Sequence, residues 1–348
     1  MTGPLLTRER LKTKITMKKV FWALAAATMM VSCFGDQTLT RSDFNKIELG
    51  SYVNNTTVRA GENPTITSES IDAFDVWAFM DEPSGVVFSK ERVSKDANGV
   101  WGYTNTAYWS PSHSYFFAAL APVDNASIEL VLARDPYIAP EGLGTVTFTN
   151  EDGTVDLLYA EQKVSTPSTI TKMAAVNLGF QHLLSKVRFS FQNCMSNVNT
   201  KLVVRNITMT VPGKASVALT EDTYSWVLDA TAEAAVLKFG SMNAGAKVLV
   251  NEWGKSDNHR LTIPAGADKE YLVSFDVDIY ANEVLGHTQP MTTTIKGCEL
   301  KPGKQYNFTA KLTGDNLHLD PIVFDKPSVD EWGTEVEYDG GEIETQVK

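Results

Sequence analysis

The sequence predicts an all-β protein made of two β-sandwiches in series. Short segments of alternating apolar and polar residues recur along the chain, and turn-forming residues separate them about every ten residues. Few stretches show the periodicity of an amphipathic helix. With 348 residues, 43% of them hydrophobic, the chain is long enough for about two domains that each bury a core.

The first 32 residues predict a secretory signal peptide. Lys18 and Lys19 precede an apolar run at 20–31, which is shorter than the ~20 residues that a membrane-spanning helix needs. We expect translation to start at Met17, because the segment before it is unusual for the basic start of a signal peptide.

Cys33 is the predicted lipidation site. Residues 30–33 resemble a bacterial lipobox, in which the signal is cut before the cysteine and both its thiol and the new amine are acylated. The alternative is an ordinary secretory signal with an incidental cysteine. Several acyl chains anchor a protein stably, since each buried CH₂ contributes about 0.8 kcal/mol. We therefore predict a signal peptide at 1–32 and a lipidated tether at 33–43.

The part of the chain after the tether predicts a series of short strands. Residues 42–53 form one possible strand, with Ile47 and Leu49 among its apolar members, and the polar stretch 54–69 predicts a loop. Residues 74–80 are apolar on both sides of the alternation, which favours a strand inside a sandwich. Further strands are predicted at 85–88, 100–103, 115–120, 144–148 and 156–160.

Residues 176–191 predict the passage between the two domains. Val187 and Phe191 lie on one face of an alternating segment, which is typical of a half-buried strand. Residues 180–185 precede it and predict a turn or a short helical corner. His182 in this corner is more consistent with a hydrogen-bonded structural residue than with a catalytic one.

The second half continues the same all-β pattern. We therefore predict an N-terminal sandwich at 44–180 and a C-terminal sandwich at 181–348. Strands are predicted at 203–211, 225–228, 235–237, 271–279, 291–295, 306–312, 322–324 and 335–338.

Charge and cysteine content exclude two classes of protein. A formal net charge of -11 disfavours binding to nucleic acid, whose phosphates would be repelled. Three cysteines are too few for a disulfide scaffold. Cys194 and Cys298 either pair in an oxidising compartment or remain separate thiols, and the sequence leaves both possibilities open.

The sequence contains none of the motifs typical of catalysis. It lacks a glycine-rich phosphate loop, an H-E-x-x-H motif, paired metal-binding cysteines and a G-x-S-x-G elbow. No two histidines lie three or four residues apart, so no local metal site is indicated. We predict no catalytic residue, no metal, no cofactor and no enzyme activity. The histidines are His113, His182, His259, His287 and His318.

A group of aromatic residues in the first half has two interpretations. The side chains either form a platform for a sugar or fill the core of the first sandwich. Since aromatic residues are favoured in strands, we favour the core. The group consists of Trp77, Trp101, Tyr103, Tyr108 and Trp109.

Several short segments carry a resemblance through their order and spacing. They are the lipobox at Cys33 and residues 74–80, 108–118, 156–160, 180–187 and 300–306. Together they resemble the fimbrillin family of Bacteroidales, the lipoprotein precursors of type V pilus subunits. The resemblance runs over most of the mature chain.

The resemblance implies a fold of two tandem transthyretin-like Greek-key β-sandwiches behind a lipoprotein signal. It also implies that an arginine-directed protease removes the first strand of stalk subunits, and that a strand from the next subunit fills the groove left behind. An unpaired sheet edge accepts such a strand through backbone hydrogen bonds and alternate apolar side chains. The resulting head-to-tail contact does not close, so it builds a filament.

By this resemblance, the candidate processing site lies between Arg59 and Ala60, just after the possible strand 42–53. The alternatives are Arg41, where a cut would leave that strand in place, or that Arg59 is an unprocessed loop arginine. The donor strand would be 335–338 with the tail that follows.

The preferred hypothesis is a structural and adhesive fimbrial subunit, or an accessory or tip pilin. It would be lipid-anchored in the outer membrane, polymerise with other subunits by donor-strand exchange and mediate cell adhesion through a host or bacterial surface ligand. The alternative is a surface lipoprotein that binds glycans, and a glycosidase is a distant third.

Replacing Cys33 with Ala should release the protein from the outer membrane as a soluble form, because no acyl chain can be attached. Cell fractionation and immunoblotting measure the change. Retention of the Cys33→Ala protein in the outer-membrane fraction would contradict the lipoprotein prediction.

Overall fold

The computed structural model describes residues 45–53, 70–81, 85–133, 142–220, 224–317 and 322–332. These residues form β-strands and loops, with a single 3₁₀ turn at Asn243–Gly245 and no α-helix among them. The strands are β1 (Leu49–Val53), β2 (Ala73–Met80), β3 (Gly85–Lys95), β4 (Trp101–Gly102), β5 (Ser114–Ala121), β6 (Ile128–Leu132), β7 (Gly142–Thr149), β8 (Leu158–Ser165), β9 (Val176–His182), β10 (Ser185–Asn193), β11 (Thr200–Val211), β12 (Lys214–Thr220), β13 (Trp226–Leu228), β14 (Ala235–Gly240), β15 (Trp253–Lys255), β16 (Arg260–Thr262), β17 (Tyr271–Ala281), β18 (Val284–Ile295), β19 (Lys304–Leu312) and β20 (Ser328–Glu331).

The largest sheet has seven strands in the order β1-β9-β8-β5-β2-β3-β4. Its central strand β2 is apolar on both sides because both faces of the sheet are buried. Phe74 and Val76 point into one core, and Trp77 and Phe79 point into the other. The double-sided pattern at 74–80 therefore predicts this strand correctly.

A four-stranded sheet in the order β13-β12-β7-β6 covers one face of the seven-stranded sheet. Strands β12 and β13 come from the half of the chain that follows residue 181, yet β12 pairs with β7 over its whole length. A hairpin from the second half thus completes the sandwich of the first half. The domain limits 44–180 and 181–348 remain a prediction.

The core on the opposite face of the seven-stranded sheet is closed by irregular segments and by the edge strand β1. Ile47, Trp109 and the partly buried Ile170 and Met173 come from irregular segments, and Leu49 comes from β1. No second continuous sheet among the described strands covers this side.

Two further sheets enclose a third core, separate from the two cores on the faces of the seven-stranded sheet. One has the order β15-β10-β19-β20, with β16 also paired to β10, and the other has the order β14-β11-β17-β18. Phe189 lies at the centre of this core, where its ring meets Phe239 at 4.8 Å and Phe324 at 5.4 Å between ring centroids. The predicted alternation in β17 is present, since Tyr271 and Val273 are buried in this core.

The passage between the sheets differs from the predicted corner. Strand β9 continues through His182, and β10 begins at Ser185, so only Leu183 and Leu184 connect them. Both leucines are fully buried. Because this connection is buried, it consists of apolar residues instead of the polar residues that mark an exposed turn. In the sequence, such an apolar pair resembles part of a short helix.

The C-terminal segment is fastened at this passage by Trp332. Strand β20 pairs with β19, and the next backbone N–H, that of Trp332, donates to the carbonyl of Gly303 at 3.2 Å. The indole stacks on His182 with 4.1 Å between ring centroids and an angle of 1° between ring planes. His182 Nδ1 in turn lies 3.0 Å from Oδ1 of Asp156. His182 is therefore a buried, hydrogen-bonded residue of the junction.

Replacing Trp332 with Ala should lower the free energy of unfolding by about 3–5 kcal/mol, because a fully buried indole leaves a cavity. Trp332→Phe should cost less, since it keeps a ring on His182. Urea denaturation measures both. Val198→Ala is the control, because Val198 is 77% exposed and its loss should change stability by less than about 0.5 kcal/mol. Equal stability of Trp332→Ala and the control would contradict this role.

Candidate assembly groove

Residues 45–53 fill a groove at the edge of the seven-stranded sheet. On one side, β1 runs parallel to β9, with Leu49 opposite Val176 and Val53 opposite Phe180. This is the one parallel pairing among the described strands of that sheet. Parallel pairing is slightly less stable per residue than antiparallel pairing. Strand β1 is therefore held by the weaker type of ladder.

The loop after β4 holds the other side of the segment. The N–H of Ile47 donates to the carbonyl of Ala107 at 2.9 Å, and the N–H of Trp109 donates to the carbonyl of Asn45 at 3.0 Å. Backbone bonds thus hold the segment at both ends, with residues 45–47 joined to the loop at 107–109 and residues 48–53 joined to β9.

Tyr103 fastens the start of the segment. Its hydroxyl donates to the carbonyl of Ile47. Burial raises the pKa of Tyr103 to about 12, so the phenol keeps its proton and remains a donor at neutral pH. The ammonium of Lys46 lies 4.8 Å from the centre of the same ring, within the range of a cation–π contact.

The side chains of the segment close the core beneath it. Ile47 is fully buried and Leu49 is nearly so. They pack with Val176, Leu178 and Phe180, which β9 presents at alternate positions on the same face. Taking the segment away would open both the backbone edge of β9 and this apolar row to solvent.

Two glycines lie where side chains of the paired strands cross. A Cβ on Gly179 would lie 2.7 Å from the Oη of Tyr52, and a Cβ on Gly50 would lie 2.6 Å from Oδ1 of Asn177. Both atoms are the outer ends of exposed side chains, which can turn away from a larger residue. The side chains of β1 and β9 therefore cross closely, but the pairing does not depend on these glycines.

The residues predicted from the sequence to be processed or lipidated lie outside the described residues. These are Cys33, Arg41, Arg59 and Ala60, together with the proposed donor strand 335–338. Of the predicted strand 42–53, the structure describes 45–53 and forms β1 at its C-terminal end, with an isolated bridge from Lys46 to Tyr108.

Four of the five residues of the aromatic group of the first half lie in or against the cores, and the fifth, Tyr108, is partly buried outside them. Trp77 and Trp109 are each only 6% exposed, and Trp101 and Tyr103 are partly buried against the core under β1. This placement agrees with the core interpretation and gives a sugar platform no exposed indole at these positions.

The sequence did not identify residues 107–109 as the second wall of the groove. Their contact with 45–47 spans about sixty residues and uses backbone atoms, so no side-chain pattern marks it. Only the aromatic run around Trp109 hinted that this loop packs inward.

The described part of the chain contains no second candidate site for metal binding or disulfide formation. No group of three potential metal ligands occurs among these residues. Cys194 and Cys298 are free thiols, and burial raises the pKa of both. None of the described residues belongs to a helix that is long and apolar enough to cross a membrane.

The fold is that of a class of all-β proteins found among fimbrial proteins. A fimbrial protein from Bacteroides vulgatus has the same fold with a TM-score of 0.55, at 15% identity over 82% of this chain and 99% of that one. A proposed cell adhesion protein from Bacteroides ovatus has a TM-score of 0.50, at 11% identity over 84% and 99%. No curated protein matches the chain.

Residues 56–332 match the family model described as fimbrillin-like. Since the match covers more than half of the chain, the protein belongs to the fimbrillin-like family. The predicted family and the predicted all-β class are confirmed, and the role of a pilus subunit is supported.

Replacing Ile47 with Ala should lower the free energy of unfolding by about 2–5 kcal/mol, because its side chain fills the core under β1. Glu48→Ala is the matched control, because this side chain is exposed and only its backbone bonds to β9. Thermal and urea denaturation measure both. If the two variants were equally stable, Ile47 would not close the core.

Proposed function

We propose that this chain is a structural subunit of a surface fimbrium that assembles by strand addition and carries out no catalysis. One observation carries the proposal. The segment 45–53 closes part of the core on one face of the seven-stranded sheet, and its strand β1 is held by a short parallel ladder at the sheet edge. A segment of this kind can be replaced by a strand from another molecule.

The replacement has a clear physical basis. Without 45–53, the edge of β9 offers free N–H and C=O groups at alternate positions, those of Val176, Leu178 and Phe180. An incoming strand would satisfy these groups and place alternate apolar side chains where Ile47 and Leu49 now lie. Such a contact is heterologous and leaves a free groove at the far end, so it extends into a filament.

Proteolysis after Arg59 would release the covering segment. The cut would make Ala60 the new N-terminus and leave β1 held only by non-covalent contacts. A cut after Arg41 would leave β1 attached to the rest of the chain. We propose 335–338 and the following tail of a neighbouring subunit as the donor.

The position in the cell follows from the same proposal. The acylated Cys33 would hold the precursor in the outer membrane until processing, and the fimbrium would be exposed at the surface. Other pilus subunits are the proposed partners, and adhesion to a cell surface is the proposed outcome.

The N-terminus of the mature surface protein tests this function. In wild-type cells we expect Ala60 as the first residue, together with polymers visible by electron microscopy. Arg59→Ala should keep the longer chain and abolish polymers, whereas the control Arg41→Ala should leave both unchanged. Mass spectrometry of the surface fraction identifies the N-terminal residue of the mature protein.

Two outcomes would contradict the proposal. Polymers formed by Arg59→Ala with the first strand still attached would show that the groove is not the assembly site. An acylated Cys33 at the terminus of all surface material would contradict processing and would instead be the mark of an anchor or tip.

A further inference from the structure

The segment 45–53, which occupies the groove as its resident segment, carries a polar side chain on the side that faces the core. Because side chains alternate along an extended chain, Ser51 lies on the same face as Ile47 and Leu49, which are buried in the core under β1. In the ladder with β9, Ser51 stands opposite Leu178, which is fully buried in the same core. A hydroxyl therefore interrupts an apolar row.

The hydroxyl of Ser51 has no partner in the described part of the chain. Its oxygen is buried, and it forms no hydrogen bond to another described residue. Because solvent does not reach this oxygen, bulk water does not supply the missing bond. A buried polar group without a partner costs the full free energy of taking it out of water. The serine thus weakens the binding of the segment that carries it.

A weakness in the resident segment has a different effect from a weakness in the wall of the groove. The indole Nε1 of Trp109 is also buried without a hydrogen bond to a described residue, but Trp109 belongs to the wall and stays there whichever strand fills the groove. Ser51 leaves with the segment. The preference between two strands depends only on the difference between their binding free energies. The hydroxyl of Ser51 therefore favours an incoming strand that lacks it.

The other contacts of the resident segment discriminate little between one strand and another. The bonds at both ends use backbone atoms, and the hydroxyl of Tyr103 donates to the carbonyl of Ile47, which any extended chain can provide. Apolar packing at the positions of Ile47 and Leu49 is open to other apolar side chains. The position opposite Leu178 differs from these two, because its resident residue is polar.

We propose that Ser51 keeps the resident segment replaceable, and that the groove selects an incoming strand with an apolar side chain opposite Leu178. This selectivity rests on the proposed function, because it concerns the strand that another subunit supplies. Valine suits the position, since it has no polar atom and is favoured in strands. The partner is thus an extended strand with apolar side chains at the positions of Ile47, Leu49 and Ser51.

Hydrogen exchange on the purified, uncut chain tests the weakening. The N–H of Val176 donates to the carbonyl of Glu48 at 2.8 Å, so its exchange reports opening of the segment. Ser51→Ala should slow this exchange about fivefold or more, because the buried hydroxyl is removed. Ser94→Ala is the matched control, since Ser94 is exposed on β3 and its loss should leave the rate unchanged. Equal rates in Ser51→Ala and the wild type would overturn the proposal.

Peptide exchange tests the preference of the groove. The folded full chain is cut at a protease site inserted between residues 54 and 69, so that only non-covalent contacts hold the segment 45–53. Two fluorescent peptides then compete for the groove, one with the natural sequence of 45–53 and one with the change Ser51→Val. The valine peptide should bind about fivefold more tightly or better, because it brings no hydroxyl into the core.

A third peptide controls for general hydrophobicity. Glu48→Val places the same apolar side chain on the exposed face of the segment, so this peptide should bind as the natural one does. Equal binding of the natural and Ser51→Val peptides would overturn the proposal, and so would an equal gain from Glu48→Val. Failure of every peptide to enter the cut chain would also overturn it, since the segment would then not be replaceable.

Electron microscopy of cells that express the wild-type chain keeps this proposal distinct from the proposed function. Preference for the valine peptide in a protein that forms no fimbriae would support the selectivity of the groove and contradict the fimbrial function. Fimbriae together with equal binding of the natural and valine peptides would support the function and overturn the selectivity.

Discussion

The seven-stranded sheet is apolar on both faces, and both faces must be covered. Strand β5 illustrates this constraint, because Phe116 and Leu120 point into one core while Phe117 and Ala119 point into the other. A regular sheet covers the first core. Short separate segments cover the second, and each is held by its own few hydrogen bonds. The segment 45–53 is therefore one of several separate elements that close a core which cannot stay exposed.

This arrangement is the physical basis of the strand exchange proposed for the segment 45–53. What fixes the groove is β9, the loop at 107–109 and the apolar row beneath, and these belong to the rest of the sandwich. The groove specifies an extended backbone with apolar side chains at two alternate positions. It does not specify which molecule supplies that backbone, because most of its contacts are backbone bonds and non-directional apolar packing.

Much of the fold is predictable from local sequence, and the reasons for the exceptions are physical. Strands with a clear period were found, such as β2, which is apolar on both sides, and β17, which is apolar on one. Strand β12 was missed because Pro212 and Gly213 suggested that the strand pattern had ended, whereas the chain turns there and continues as the next strand. Strand β6 was also missed. It is only five residues long, and none of its residues is fully buried, so its sequence shows no clear alternation of apolar and polar residues.

The candidate site was predictable only in part. The apolar residues Ile47 and Leu49 were visible in the sequence as members of a possible strand. Their partners were not, since β9 and the loop at 107–109 lie far away in the chain and contribute backbone atoms. Pairing of β12 with β7 is hidden for the same reason, because nothing local in either segment states which strands are neighbours.

The junction between β9 and β10 determines how the groove relates to the far end of the chain. Strand β9 forms one wall of the groove, and two buried leucines later the chain is already in the second pair of sheets. Trp332 joins the C-terminal segment to this point through His182. The strand that would receive a donor and the segment that leads to one are therefore fixed to the same buried cluster. In a filament, this short buried connection, rather than a long linker, would transmit the orientation of one subunit to the next.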